Sequence, residues 1–201
     1  MNYVYNKNLA NCTPSKIREF NSLASKLNAK FKLTLGEPDF DTPIEVKDAL
    51  IEAVNQNHTR YAPTVGNKNL REEICKFEKR VNKVSYEPDE VLITTGSTEA
   101  LTAALFTLLN QDDEVIVPIP CYALYEPVIS YCGAKMIPLD TRPDFQISKG
   151  HLEALINNKT KAILLTSPNN PTGTIYDDKT LENIYNIVKD TNILVICDNC
   201  Y

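Results

Sequence analysis

The stretch Ala162-Ile163-Leu164-Leu165-Thr166-Ser167-Pro168-Asn169-Asn170-Pro171-Thr172-Gly173 decides the fold. Its first part is an apolar run without polar alternation, as expected of a strand buried on both faces. Two prolines and a glycine then impose a rigid turn that holds the Asn170 amide in one direction. A plain turn can be built with less, so the stiffness points to recognition by Asn170; a structural asparagine cap is the other reading. Similar runs recur at Val91–Thr94, Glu114–Val117, Lys135–Leu139 and Ile193–Cys197. Between them, Leu101, Ala104, Leu105 and Leu108 follow helical spacing, as do Leu181, Ile184, Tyr185 and Val188. The alternation predicts an α/β fold, a mostly parallel sheet covered by helices.

Upstream, Thr42-Pro43-Ile44-Glu45 reads as a capping box with proline at the first helical position. Val46, Ala49, Leu50, Ala53 and Val54 follow as one apolar face. A second helix is expected from about Gly66 to Val84, with Leu70, Ile74, Phe77 and Val81 on one side. Residues 1–43 have weaker periodicity, with a short helix near Pro14–Leu27 and an extended Phe31–Leu35. They read as an arm, and residues 44–201 as the main domain.

Composition narrows the function classes. The chain has 201 residues, 21 basic against 26 acidic side chains, a net charge of −5 and 43% hydrophobic residues. A packed core is expected, and the mild acidity argues against a nucleic-acid binder, which would carry a basic face. No apolar run approaches the ~20 residues that cross a bilayer. The start, MNYVYNKNLANC, shows no apolar segment behind a basic one, so a cytoplasmic chain with reduced thiols is expected. Cys197 and Cys200 spell C-x-x-C, but no second ligand pair accompanies them. His58 and His151 lie far apart and read as surface or capping residues, so no metal is expected.

Two further loops carry chemistry. In Thr95-Gly96-Ser97-Thr98-Glu99-Ala100, glycine lets the backbone approach a ligand while Ser97 and Thr98 add hydroxyls at a helix N-terminus. That combination suits a phosphate, and simple helix capping explains it equally. In Val195-Ile196-Cys197-Asp198-Asn199-Cys200-Tyr201, an acid directly follows buried apolar residues. Its ionised form there needs a cationic or hydrogen-bonding partner, unless it is a half-exposed strand terminator.

Taken together, Leu35-Gly36-Glu37-Pro38-Asp39-Phe40-Asp41-Thr42-Pro43, Tyr61-Ala62-Pro63-Thr64-Val65-Gly66 with Leu70-Arg71, and Ser167 through Gly173 resemble class I/II aminotransferases. These are pyridoxal-phosphate enzymes of fold type I, with a three-layer large domain. Cys121-Tyr122-Ala123-Leu124-Tyr125-Glu126-Pro127 and Ile17-Arg18-Glu19-Phe20 resemble the aspartate, aromatic and N-acetyl-diaminopimelate branch. The resemblance implies that Asp198 pairs with the protonated pyridine nitrogen, keeping the ring an electron sink. It implies that Asn170 and Tyr201 hydrogen-bond the ring's phenolic oxygen, and that Tyr122 stacks on the ring. Gly96, Ser97 and Thr98 would hold the phosphate. Tyr61 would reach the phosphate of the neighbouring subunit, implying a homodimer, and Gly36 would lie beside the substrate carboxylate. Generic aromatic packing is the alternative for Tyr122 and Tyr61. Asn199 stands where the family usually has an acid.

In the family, the lysine that forms the Schiff base lies downstream of the Asp–x–x–Tyr element. No lysine here has that context, so none is nominated as catalytic. The expectation is therefore the N-terminal half of an aminotransferase acting on an amino acid and a 2-oxo acid, with the large domain incomplete at its C-terminus and inactive alone. The alternatives are a non-catalytic remnant or half of a split protein, and a carbon–sulfur β-lyase on the same fold.

Overall fold

In a computed structural model, which describes residues 6–9, 16–27, 31, 36 and 38–200, helices come first and strands and helices alternate from residue 97 onward. Two compact units result: Lys16–Thr95, and Gly96–Tyr201 with Met1–Ser15.

The first unit carries helices α1 (Lys16–Lys26), α2 (Ile44–Asn55) and α3 (Lys68–Val81). Helix α3 starts where the Asn67 side chain accepts from the amides of Asn69 (2.9 Å) and Leu70 (3.3 Å). The cap therefore lies one residue beyond the expected start at Gly66. The capping box expected at Thr42 does not form. Pro43 itself occupies the cap position of α2 with no side-chain bond, which makes Ile44 the first helical residue. Arg71, buried on α3, donates to the Pro88 carbonyl (2.5 Å) and lies 3.4 Å from Asp89, tying the helix to the single turn Pro88–Glu90.

The second unit holds α4 (Ser97–Leu108), β1 (Glu114–Ile119), α5 (Tyr125–Tyr131), β2 (Lys135–Asp140), α6 (Lys149–Leu155), β3 (Thr160–Thr166), α7 (Asp178–Val188) and β4 (Leu194–Asp198). The four strands are parallel in the order β2-β1-β3-β4. Val91–Thr94, expected as a strand, forms none. Its Ile93 amide makes a single bond to the Val65 carbonyl (3.1 Å), and a strand requires a ladder. The extended Phe31–Leu35 lies mostly outside the described residues.

Side-chain parity sorts the strands' residues into two cores. Val115 and Val117 of β1 and Ala162 and Leu164 of β3 pack with Leu105 of α4 and Tyr125 and Ile129 of α5. Ile116 of β1 and Ile163 and Leu165 of β3 pack on the other face with Leu152 of α6 and Ile184 of α7. The uninterrupted apolar runs follow from this: both faces of β1 and β3 are covered, giving three layers. The chain runs from β1 to β2 in one direction and from β2 past β1 to β3 and β4 in the other. Right-handed crossovers then place α5 on one face and α6 and α7 on the opposite one, as observed.

Candidate cofactor site at the carboxyl ends of the strands

The reversal of direction between β1 and β3 is a topological switch point, where the loops after adjacent strands part and leave a crevice. The loop after β1 carries Tyr122 and the loop after β3 carries Asn170. Thr166 and Asp198 are register partners at the ends of β3 and β4. They share the parity of Leu164 and Ile196, which places both on the α4–α5 face.

A cavity of about 110 Å³ opens there, lined by Ser97, Tyr122, Tyr125, Thr166, Asn170, Asp198 and Cys200. It shares Ser97, Asp198 and Cys200 with a neighbouring cavity of about 420 Å³, which extends along α4 past Ala100, Leu101 and Ala104. The structure thus brings Ser97, Tyr122, Asn170 and Asp198, singled out from sequence, around one space. Gly96 and Thr98 flank Ser97 at the start of α4. Gly96 has φ +81°, a conformation that favours glycine, with no atom within 4 Å of where a Cβ would lie. Tyr61 and Gly36 belong to the other compact unit, Tyr61 fully exposed; Tyr201 lies outside the described residues. Among the described residues, no lysine lines either cavity.

The sequence reading assigned no role to Tyr125. Its hydroxyl donates to Asp198 Oδ2 at 2.7 Å and lies 2.5 Å from Thr166 Oγ1. The side chain is buried, and that burial, with a smaller contribution from Asp198, pushes the phenol well above its ordinary pKa. Its ring meets Tyr122 edge to face, centroids 5.6 Å apart. A tyrosine at the first position of a short helix following Tyr122 was the available signal, but the partner residues are 41 and 73 positions away.

The loop that presents Asn170 is held by its neighbour. Asn169 Oδ1 accepts from the amide (3.3 Å) and hydroxyl (3.2 Å) of Thr172, while its own amide donates to the Thr174 carbonyl (2.8 Å). Buried Tyr176, its phenol pushed up by burial, backs this loop through Asn169. Stiffness thus comes from the first asparagine as well as from the prolines.

The donor set has the chemistry that pyridoxal phosphate requires. A helix N-terminus with two hydroxyls and an open, left-handed glycine matches a phosphate. Asp198 keeps Oδ1 without a hydrogen-bond partner among the described residues, while Oδ2 is held by Tyr125. A carboxylate with one oxygen fixed and one open suits a ring N–H⁺. The residues present fit the group.

Comparison with known proteins identifies the family. The sequence model described as aminotransferase class I and II matches residues 28–201. The chain is 36% identical over 203 residues to a probable N-acetyl-LL-diaminopimelate aminotransferase of Bacillus subtilis, covering 100% of this chain and 52% of that protein. It is 35% identical to a probable aspartate aminotransferase of Methanocaldococcus jannaschii, covering 95% and 50% respectively. The fold superposes on the aspartate aminotransferase of Thermus thermophilus with maleate at a TM-score of 0.93 and 32% identity, covering 99% of this chain and 54% of the other. The chain spans about half the length of the curated relatives it matches.

Proposed function

The chain belongs to the class I and II aminotransferases, and from that premise we propose that it supplies the cofactor-binding half of a pyridoxal-phosphate-dependent aminotransferase acting on an amino acid and a 2-oxo acid. The observation that carries this reading is Asp198, set at the end of β4 with one oxygen held by Tyr125, in a cavity shared with Tyr122, Asn170 and the start of α4. When bound, pyridoxal phosphate supplies an electron sink for negative charge developing at the substrate α-carbon. Asp198 holds the proton on the ring nitrogen. Tyr122 covers one face of the ring. The Gly96–Thr98 amides and hydroxyls bind the phosphate, and Asn170 donates to the phenolic oxygen. Tyr201 adds a second donor to that oxygen, Tyr61 reaches the phosphate of a second subunit in a homodimer, and Gly36 leaves room for the substrate carboxylate.

Proton transfer at the substrate carbon requires a base, and the family uses the cofactor-linking lysine. Among the described residues no lysine lines either cavity beside Asp198, which supports placing that lysine outside residues 1–201 and reading the 201-residue chain alone as inactive. Two experiments test the reading. Incubation of the native protein with an amino acid and 2-oxoglutarate is expected to yield glutamate; pyruvate with ammonia in its place overturns amino transfer. Borohydride reduction with the cofactor, followed by peptide mapping, is expected to label no lysine within residues 1–201. A stoichiometric label there refutes the assignment.

A further inference from the structure

We propose that Tyr125 is a positioning residue that sets two cofactor-facing groups at once: the Asp198 carboxylate through its hydroxyl and the Tyr122 ring through its ring. The proposal rests on the cofactor reading above and goes beyond it, because nothing in that reading requires a third residue behind the acid. An ionised carboxylate only accepts hydrogen bonds, so the proton of the 2.7 Å contact belongs to Tyr125. Having spent its one hydrogen on Asp198, the phenol must accept from Thr166. The chain of donors therefore runs in one direction, from Thr166 Oγ1 to Tyr125 to Asp198 Oδ2. That direction leaves Asp198 Oδ1 as the oxygen open to a cation.

The anchoring is three-sided. Tyr125 begins α5, Thr166 ends β3 and Asp198 ends β4, so one buried hydroxyl joins three elements at the carboxyl edge of the sheet. Among the described residues β4 pairs only with β3, and none of its residues is fully buried. The hydroxyl is thus a second restraint on the acid, supplementing the ladder. The edge-to-face contact with Tyr122 at 81° fixes the other ring from behind. Burial raises the phenol above its ordinary value and so favours the protonated, donating form.

The test uses cofactor affinity rather than turnover. Apoprotein of the native protein is titrated with pyridoxal phosphate, read by equilibrium dialysis, for wild type, Y125F, D198N and the double variant. Y125F keeps the ring and loses only the hydroxyl. It is expected to weaken binding about ten-fold, the scale of one charge-assisted hydrogen bond. T166V, which leaves Tyr125 and Asp198 intact, is expected to weaken it about three-fold, and T166S to restore wild-type affinity. The decisive result is the double variant: if Tyr125 acts through Asp198, Y125F adds nothing in the D198N background. Wild-type affinity in Y125F, or a full additive loss in the double variant, overturns the proposal. If Y125F fails to fold, the T166V and T166S pair decides, and equal affinities in these overturn it. Absence of stoichiometric binding by the wild type overturns both this proposal and the function it rests on, whereas normal wild-type binding with an unaffected Y125F overturns this one alone.

Discussion

Replacing Gly66 by alanine separates two penalties that are usually measured together. Gly66 closes a turn, its amide donating to the Pro63 carbonyl at 2.8 Å, with φ +95°. A side chain in that conformation costs about 1–2 kcal/mol. A Cβ there would also overlap Cγ1 and Cβ of Ile93, whose Cα lies 3.5 Å away. Rotating Ile93 moves Cγ1 aside but leaves Cβ fixed, so the overlap has to be met by backbone movement. Overpacking of this kind costs about 1–3 kcal/mol. The sum is roughly 2–5 kcal/mol, a large part of the ~5–15 kcal/mol that holds a typical domain. Gly96 has no such neighbour, with nothing within 4 Å of an added Cβ, but its φ +81° and ψ 170° at the cap of α4 are a conformation that glycine alone adopts readily, so Ile93 rather than Gly96 is the group to vary. Urea unfolding is expected to show G66A less stable than wild type by roughly 2–5 kcal/mol. The combination G66A/I93A is expected to recover only part of that loss, because alanine keeps the offending Cβ. A G66A midpoint equal to that of wild type, or full recovery with I93A, would refute the reasoning.

Two other consequences can be checked on the same material. Hydrogen bonds from Arg142, foremost among them its side chain, hold the exposed Asp140 carboxyl down at about 2. A depressed acid stabilises the fold above its unfolded value and ceases to as pH falls through the folded one. R142A is therefore expected to differ from wild type above pH ~4 and to converge with it near pH 2, read from denaturant midpoints against pH; a difference that grows on acidification contradicts this. Gln146 accepts from the Asp177 amide (3.1 Å) and the Thr180 hydroxyl (3.2 Å) and donates to the Ile175 carbonyl (3.1 Å). Q146A removes all three bonds while Asp177 still accepts from the Thr180 hydroxyl, so it is expected to cost about 1–2 kcal/mol, which thermal unfolding measures.

The sheet was legible because its signal is local. Runs such as Ala162–Thr166 are apolar at every position only when both faces are buried, and helices on both faces follow. Four of the five expected runs became strands. Val91–Thr94 did not, because hydrophobicity marks burial while a strand also needs a neighbour in register. Likewise Thr42 has the right chemistry for a cap, but Pro43 takes the cap position itself. At the site, Asn170 and Asp198 were legible as polar groups at or just beyond strand ends, where ligands bind, and Ser97 as a hydroxyl at a helix start. Tyr125 was not, since its meaning lies in residues that only strand parity and the β3–β4 register bring to it. Asn169 was overlooked for a different reason: beside two prolines and a second asparagine, nothing in the spelling separates the residue that builds the loop from the one it presents.

The strand that carries the acid is also the most exposed part of the sheet. β4 pairs with β3 on one side and has no strand on the other among the described residues, and Leu194 and Val195 are 43% and 39% exposed. On α7, Leu181 and Tyr185 are exposed as well. A flat apolar edge of this kind templates pairing with other chains, and natural sheets blunt such edges with lysine. Val195 has the parity of Ile163, on the face opposite Asp198, so a lysine there is expected to leave the cofactor cavity untouched. For the 201-residue chain by itself, V195K is therefore expected to reduce light scattering on concentration while circular dichroism stays that of the parent. The same substitution on the cavity face, I196K, places a charge in the α4–α5 core and is expected to unfold the chain instead. If V195K and the parent aggregate alike, the edge is not what limits solubility. A charge elsewhere, such as L50K on the exposed face of α2, would then have the larger effect.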